Sequence, residues 1–250
     1  MEVVLLGTGT LTPQSETASA GVAVVEDDHV LPIDLGRNVL SRMVECGLDP
    51  LHLSEFFVTH LHPDHTCELV SLLFAARHAR SAPGPLRLVG PAGLDALVAA
   101  LYGAWEWLRA DYPLRIDEIG SGPVEASGFE VEAVRLEHGT TEDLGYRVRS
   151  PRSGRTMAFT GDTGPCEALV ELARGVDVLV SECASTDSDA SAVHLSPTPL
   201  GEAAERAGVR HLVITHLYPQ TPAEAVVDGV RARFGGEVTI GTDRMRIRAA

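Results

Sequence analysis

The sequence contains no lysine: all 20 of its basic residues are arginine, set against 35 Asp and Glu for a formal net charge of -15. Such a surface repels a polyphosphate backbone over a Debye length of about 8 Å at physiological salt, so a large nucleic acid partner would need a concentrated basic patch. A small substrate needs none. Long apolar runs are also missing, and none reaches the roughly 18 residues of a membrane-spanning helix, so no membrane partner is expected. Thiols are few: Cys46, Cys67, Cys166 and Cys183 include no Cys-x-x-Cys pair and read as reduced thiols of a cytoplasmic protein, not as a disulfide framework. The segment Met1-Glu2-Val3-Val4-Leu5-Leu6-Gly7 lacks the basic n-region of a signal peptide and reads as a first strand.

What is present is enough apolar sequence, 44% of 250 residues, to fill a sizeable core, and the expectation is one domain over 1–250. Hydrophobic periodicity and turn residues predict strands at 20–26, 30–33, 55–59, 86–90, 131–137, 144–149, 156–160 and 211–215, with terminal strands within 237–248. Helices are predicted at 34–47, 66–80, 94–110, 166–174, 199–208 and 222–234. Two β-rich halves, each closed by helices, imply an α/β fold with two sheets packed face to face and helices outside.

Chemistry concentrates in one turn. His60, His62, Asp64 and His65 follow directly on an apolar strand, and at this protein's His and Asp frequencies the pattern His-x-His-x-Asp-His arises by chance about once in a thousand such chains. These residues would serve poorly as mere caps of a strand-to-helix turn. Buried together without a cation they would repel and desolvate badly; around one they form a ligand set.

At this point the chain resembles the metallo-β-lactamase-fold hydrolases, and within them the ribonuclease Z-like branch. The resemblance rests on Leu6-Gly7-Thr8-Gly9, Asp34-Leu35-Gly36, Thr59-His60-Leu61-His62-Pro63-Asp64-His65, Glu137-His138-Gly139, Phe159-Thr160-Gly161-Asp162-Thr163 and Ile214-Thr215-His216, which occur in order from end to end. It implies a four-layer αβ/βα sandwich with a dinuclear centre. His60, His62 and His138 would hold one metal, Asp64, His65 and His216 the other, and Asp162 would bridge them. Ligation by His and carboxylate without thiolate suits Zn²⁺, two per chain, with Mn²⁺, Fe or Ni²⁺ able to occupy the same site. The implied activity is hydrolysis by a metal-activated water, with Asp64 also able to take the water's proton. Phosphodiester cleavage is the first reading. A lactone or thioester hydrolase of the same fold is its rival, and a non-catalytic metal-binding or scaffold protein a second. A homodimer is also implied.

In the same family a His-Ser/Thr segment delivers a proton to the leaving oxygen, and His194-Leu195-Ser196-Pro197 resembles it. Asp34 is expected to support the metal loops by hydrogen bonds, to N-cap the helix that follows, or both. Two departures argue against transfer RNA and for a small-molecule or short phosphodiester substrate. Where the family has a His-Glu-Ala-Thr-like segment, this chain has Ser181-Glu182-Cys183-Ala184-Ser185, keeping Glu182 but not the His. There is also no Gly- and Lys-rich arm, since 94–115 contains only Arg109 and Arg115 as bases.

Weaker signals remain. Arg147, Arg149, Arg152 and Arg155 on one hairpin read as a solvated surface in preference to a phosphate site. Leu94, Val98, Leu101 and Trp105 keep core spacing, while Trp107 points off that stripe and is a candidate wall of a substrate cleft. Cys67 and His78 read as helix packing residues, and Tyr218 as a residue of the site mouth.

Overall fold

The structure, a computed structural model, describes residues 1–109 and 111–249. The first half supplies strands β1 (Glu2–Gly7), β2 (Gly21–Glu26), β3 (His29–Ile33), β4 (Glu55–Phe57), β5 (Leu86–Gly90) and β6 (Leu114–Glu118). The second supplies β7 (Gly122–Val124), β8 (Glu130–His138), β9 (Thr141–Arg149), β10 (Thr156–Phe159), β11 (Val178–Glu182), β12 (His211–Thr215) and β13 (Glu237–Ile240). The last strand, β14 (Arg246–Arg248), returns to the first half and pairs antiparallel with β1. Two seven-stranded sheets result, ordered β14-β1-β2-β3-β4-β5-β6 and β13-β12-β11-β10-β9-β8-β7.

The two sheets bury their apolar faces against each other. Val3, Leu5, Val24 and Phe57 of one meet Val131, Tyr146, Phe159 and Val180 of the other. Tyr146 does more than fill space: its ring stands edge-on to Phe57 at 5.4 Å, and its hydroxyl donates to the Val58 carbonyl at 2.8 Å. That bond fixes the chain just beyond β4, two residues before His60.

The outer face of each sheet is covered by helices. On the first lie α1 (Val39–Glu45), α2 (Pro63–Thr66), α3 (Leu69–Ala79) and α4 (Leu94–Ala104), and Met43, Leu72, Leu73 and Val98 from this layer pack with Val4 and Leu6. On the second lie α5 (Glu167–Leu172), α6 (Pro197–Ala207) and α7 (Ala223–Arg231), packed through Leu172, Leu200 and Val230 against Leu179 and Ile214. The molecule is therefore the four-layer αβ/βα sandwich. No described helix is long and apolar enough to cross a membrane.

Several elements differ from expectation. The helix placed at 34–47 begins only at Val39, because Asp34 and Asn38 take left-handed backbone angles (φ 67° and 69°) that no helix can run through. Asn38, not Asp34, is its N-cap residue. β6, β7 and the apolar β11 were not anticipated. The sequence Leu114-Arg115-Ile116-Asp117-Glu118 hides a strand behind charge, which is tolerated because Arg87 and Arg115 both bind Asp117 (2.6 and 2.8 Å). The helix expected over 94–110 stops at Ala104 and continues as a 3₁₀ turn, Glu106–Leu108, while position 110 lies outside the described residues. Trp105 is 44% exposed and so is not core, and Trp107, 53% exposed, meets the ring of Phe74 on α3 instead of walling a cleft. The hairpin arginines go their separate ways: Arg147 to the Leu172 and Arg174 carbonyls, Arg149 to Glu130, Arg152 to Asp27 and Arg155 to Asp177. They form no phosphate site. Cys67 is half-buried between α2 and α3, as a packing role requires, whereas His78 is exposed and meets only the exposed Phe74 ring at 4.7 Å.

Candidate metal centre

Strand ends build the centre. After β4 the chain runs through Thr59 to the fully buried His60, and Pro63 at the first position of α2 starts a helical turn that carries Asp64 and His65. His138 ends β8, Asp162 follows β10 and His216 follows β12, so three further strands deliver their polar residues to the same rim. His216 holds a left-handed φ of 60°, a costly conformation for a non-glycine residue, fixed by its N–H donating to the Thr8 carbonyl at 2.6 Å.

The Asp34-Leu35-Gly36 turn is packed backbone to backbone against this motif. Leu35 N–H donates to the His65 carbonyl at 2.7 Å, and a Cβ at Gly36 would lie 2.2 Å from the Asp64 carbonyl, which leaves room for glycine alone. The Asp34 carboxylate accepts from Thr59 N–H and from His65 Nδ1, each at 2.7 Å. It therefore supports the loop over 59–65 and caps no helix.

The ligand atoms of His60, His62, His138 and Asp162 all lie within 4.8 Å of one another, and so do those of Asp64, His65, Asp162 and His216. Asp162 belongs to both groups, with its two oxygens facing different ways. Oδ2 lies 3.9 Å from His60 Nε2 and from His138 Nε2, whereas Oδ1 lies 3.3 Å from His65 Nε2 and 3.5 Å from His216 Nε2. Asp64 Oδ2 is 3.2 Å from His216 Nε2.

Whether these groups suit a cation is decided by what they lack. His60 Nε2, His65 Nε2 and Asp162 Oδ1 are buried with no hydrogen-bond partner, each a cost of about 1–3 kcal/mol unless something else engages it. Burial and the neighbouring His65 push the His60 imidazole down, leaving its lone pair free for a metal. Burial opposes ionisation of Asp162, but His216 and His65 outweigh it and hold the carboxyl well below the usual range. A convergent set of imidazoles and carboxylates with unmet polar atoms is a site for a divalent metal.

Sequence reasoning missed Asp143. Its Oδ2 lies 3.1 Å from His60 Nδ1 and accepts the Asp162 N–H at 3.1 Å, so it stands behind one imidazole and one carboxylate of the cluster. Burial and the charge of Asp162 push its carboxyl well up. Gly161 (φ 64°) makes room for it, since a Cβ there would sit 2.9 Å from Asp143 Oδ1. The available signal was an acid leading into an apolar strand; the strand was expected to start at 144, three residues after its start at Thr141, which left Asp143 outside it.

Beside the cluster stand His194 and Glu182. Glu182 Oε1 accepts from His194 Nδ1 at 2.8 Å and from Thr163 N–H at 2.9 Å, and Oε2 accepts the Ala184 N–H at 2.9 Å. Their ligand atoms and that of Asp162 lie within 4.8 Å of one another. Burial lowers the basicity of His194, but the Glu182 hydrogen bond and charge outweigh it and raise it. The preceding carbonyl, Val193 O, accepts from His138 Nδ1 at 2.7 Å, tying the His194 segment to the cluster.

Residues 44–217 match the beta-lactamase superfamily domain. Ribonuclease Z of Mycobacterium bovis is 30% identical in an alignment covering 99% of this chain and 98% of that protein, and that of Mycobacterium marinum is 31% identical with the same coverage. Among solved structures, a metallo-beta-lactamase fold protein from Bacillus subtilis superposes with a TM-score of 0.83 at 23% identity over 99% of each chain. The short form of human tRNase Z does so with a TM-score of 0.81 at 21% identity over 100% of each. At those identities the two structures speak for the fold alone. The chain belongs to the beta-lactamase superfamily, among the metal-dependent hydrolases of its ribonuclease Z-like branch.

Proposed function

We propose that the chain is one hydrolase domain over 1–250 acting as a dinuclear zinc phosphodiesterase on a small or short substrate. The observation that carries this reading is the Glu182–His194 pair at 2.8 Å beside Asp162. An ester with a poor leaving group needs a proton donor there. His60, His62 and His138 would hold one ion, Asp64, His65 and His216 the other, and Asp162 would lie between them. When bound, two divalent ions supply an activated water and positive charge for the transferring phosphoryl group.

The chain's own residues do the rest. Asp64, only partly buried, accepts a proton from water on the open side of the cluster. Three donors on Glu182 hold its carboxylate still, so the His194 ring is fixed with Nε2 free to give a proton to the departing oxygen. Glu182 thus positions His194 with no second His at position 181, where Ser181 turns its hydroxyl to the Glu182 carbonyl at 3.0 Å. Cys183 Sγ faces the Ser185 carbonyl at 3.8 Å and is not in the cluster, consistent with ligation by N and O alone. Against transfer RNA stands the connection from α4 to β6, which has a short 3₁₀ turn where a gripping arm would be and few bases, with Arg115 bound to Asp117.

Zinc-loaded protein is expected to cleave bis-p-nitrophenyl phosphate faster than p-nitrophenyl phosphate, because the cluster offers charge for one phosphoryl group but no added clamp for a dianion. It is also expected to leave precursor transfer RNA uncut. Faster turnover of a lactone or thioester than of any phosphodiester would move the assignment to carbonyl chemistry. Asp143→Asn should weaken zinc affinity about 10- to 100-fold in a chelator competition while the far-UV circular dichroism is kept, as expected when a carboxylate behind a ligating imidazole is lost. An unchanged affinity would reduce Asp143 to a buried structural acid.

A further inference from the structure

Four of the five histidines in the cluster are held from behind. His60 Nδ1 faces Asp143 at 3.1 Å, His65 Nδ1 bonds to Asp34 at 2.7 Å, His138 Nδ1 donates to the Val193 carbonyl at 2.7 Å, and His62 Nε2 lies 3.4 Å from Thr141 Oγ1. His216 is different. Its Nε2 faces Asp64 and Asp162, but its Nδ1 is buried with no protein partner. The rings of His194 and Tyr218 lie 6.2 and 6.4 Å from it, centroid to centroid, contacts that pack the imidazole without fixing its rotation. A ligating imidazole normally takes its orientation from a hydrogen bond at its second nitrogen. Here that task falls to the backbone, whose left-handed φ of 60° is held by the His216 N–H bond to the Thr8 carbonyl.

Thr8 is in turn held by one side chain. Asp243 lies in the turn between β13 and β14, and its carboxylate is only 3% exposed. Oδ1 accepts from Thr8 N–H (3.1 Å) and Thr8 Oγ1 (2.9 Å), while Oδ2 accepts from Ala18 N–H (2.7 Å) and Arg42 Nε (3.1 Å). Ala18 closes the clamp, since its carbonyl accepts the Gly9 N–H at 2.9 Å. The turn itself is pinned to β12 and β1, the strands that lead into His216 and Thr8, because Gly241 N–H donates to Ile214 O at 2.8 Å and Arg244 N–H to Leu5 O at 2.6 Å. We propose that Asp243 is the positioning residue for His216: by fixing Thr8 it holds the strained backbone that aims the imidazole, and so it sets the metal affinity of the half formed by Asp64, His65 and His216. Asp243 itself bonds to no residue of the cluster. The inference rests on the ligand assignment proposed above.

Zinc affinity is read by chelator competition in Asp243→Ala, Asp243→Asn and Arg42→Ala, with His216→Ala marking which of the two binding steps belongs to the His216 half. Asp243→Ala should weaken that step about 10- to 100-fold and leave the other within a few-fold. Asp243→Asn keeps the oxygen bonded to Thr8 and should recover most of the loss. Arg42→Ala removes a partner of the other oxygen only, so it should lower Tm and leave both steps unchanged. A carboxylate with a merely structural role would weaken both steps together in all three variants, in proportion to Tm; that pattern, or unaltered zinc binding in Asp243→Ala, overturns the inference. Thr8→Val, which deletes only the hydroxyl bond to Oδ1, serves if Asp243→Ala does not fold: a loss of a few-fold confined to the same step supports the inference, and no loss rejects it. Should the wild type bind one zinc only, the dinuclear reading fails by itself, and the positioning role is judged on metal-free protein by NMR. There the His216 amide should exchange with deuterium about tenfold faster in Asp243→Ala than in the wild type while amides of β8 and β9 keep their rates, and equal exchange at His216 rejects the role.

Discussion

Replacing Asp162 with alanine is expected to lower hydrolysis by about 10³-fold or more, equivalent to about 4 kcal/mol of transition-state stabilisation, and to leave at most one metal per chain in place of the two proposed for the wild type. The argument is geometric. One carboxylate oxygen faces His60 and His138 while the other faces His65 and His216, so one side chain serves both halves of the cluster. It is also electrostatic, because burial disfavours protonated imidazoles and Asp162 is the charge that most offsets this for both His65 and His216. Elemental analysis of protein purified without chelator and reloaded with zinc provides the count. Asp162→Asn, which keeps the shape and the N–H donated to Asp143 but not the charge, should behave nearly as badly as alanine. Retention of two metals and most of the activity in either variant would remove Asp162 from the bridging position.

How far such a centre was legible in the sequence depended on how local each residue's signal was. His60, His62, Asp64 and His65 fall within one turn and announce themselves. His138, Asp162 and His216 are single residues at strand ends, and only their order along the chain, matched to a family, assigned them; the structure brings all three to the same cluster. Asp143 had no such support. Its role is to hold His60 Nδ1 across a sheet-to-sheet distance that no spacing along the chain encodes. The Asp34 ambiguity has a similar origin, since an Asp before a helix is a good cap in sequence terms, and only its left-handed backbone and its bond to His65 settle which job it does. In the fold, most apolar strands and α6, with its Pro-Thr-Pro start and Gly208 stop, were visible, but the short apolar run of β11 was passed over. The edge strand β6 was not, because its charges mask the pattern: Asp117 is satisfied by Arg115 on the same strand and by Arg87 on β5, and Glu118 by the Gly93 and Asp95 N–H groups.

The second large effect belongs to His194. His194→Ala should lower kcat by about 10²-fold or more on a diester that expels an alkoxide, and much less on one that expels p-nitrophenolate. The difference follows from the leaving groups: an alkoxide is a strong base and must be protonated as its bond to phosphorus breaks, whereas p-nitrophenolate departs with little help. Glu182 supplies the poise, since its hydrogen bond and charge raise the basicity of the imidazole against the pull of burial and engage Nδ1, leaving Nε2 for the substrate. Glu182→Gln should therefore show the same leaving-group dependence in weaker form. Val193 complicates the experiment usefully. Its carbonyl holds His138 Nδ1 at 2.7 Å, so a variant that shifted the backbone at 193–194 would also lose metal, and zinc content must be measured alongside the rates. With both metals retained, equal losses on the two diesters would mean that His194 binds substrate or braces the cluster instead of delivering a proton. With metal lost, the defect lies in the His138 half of the site, and the proton-donor role would have to be tested with Glu182→Gln alone.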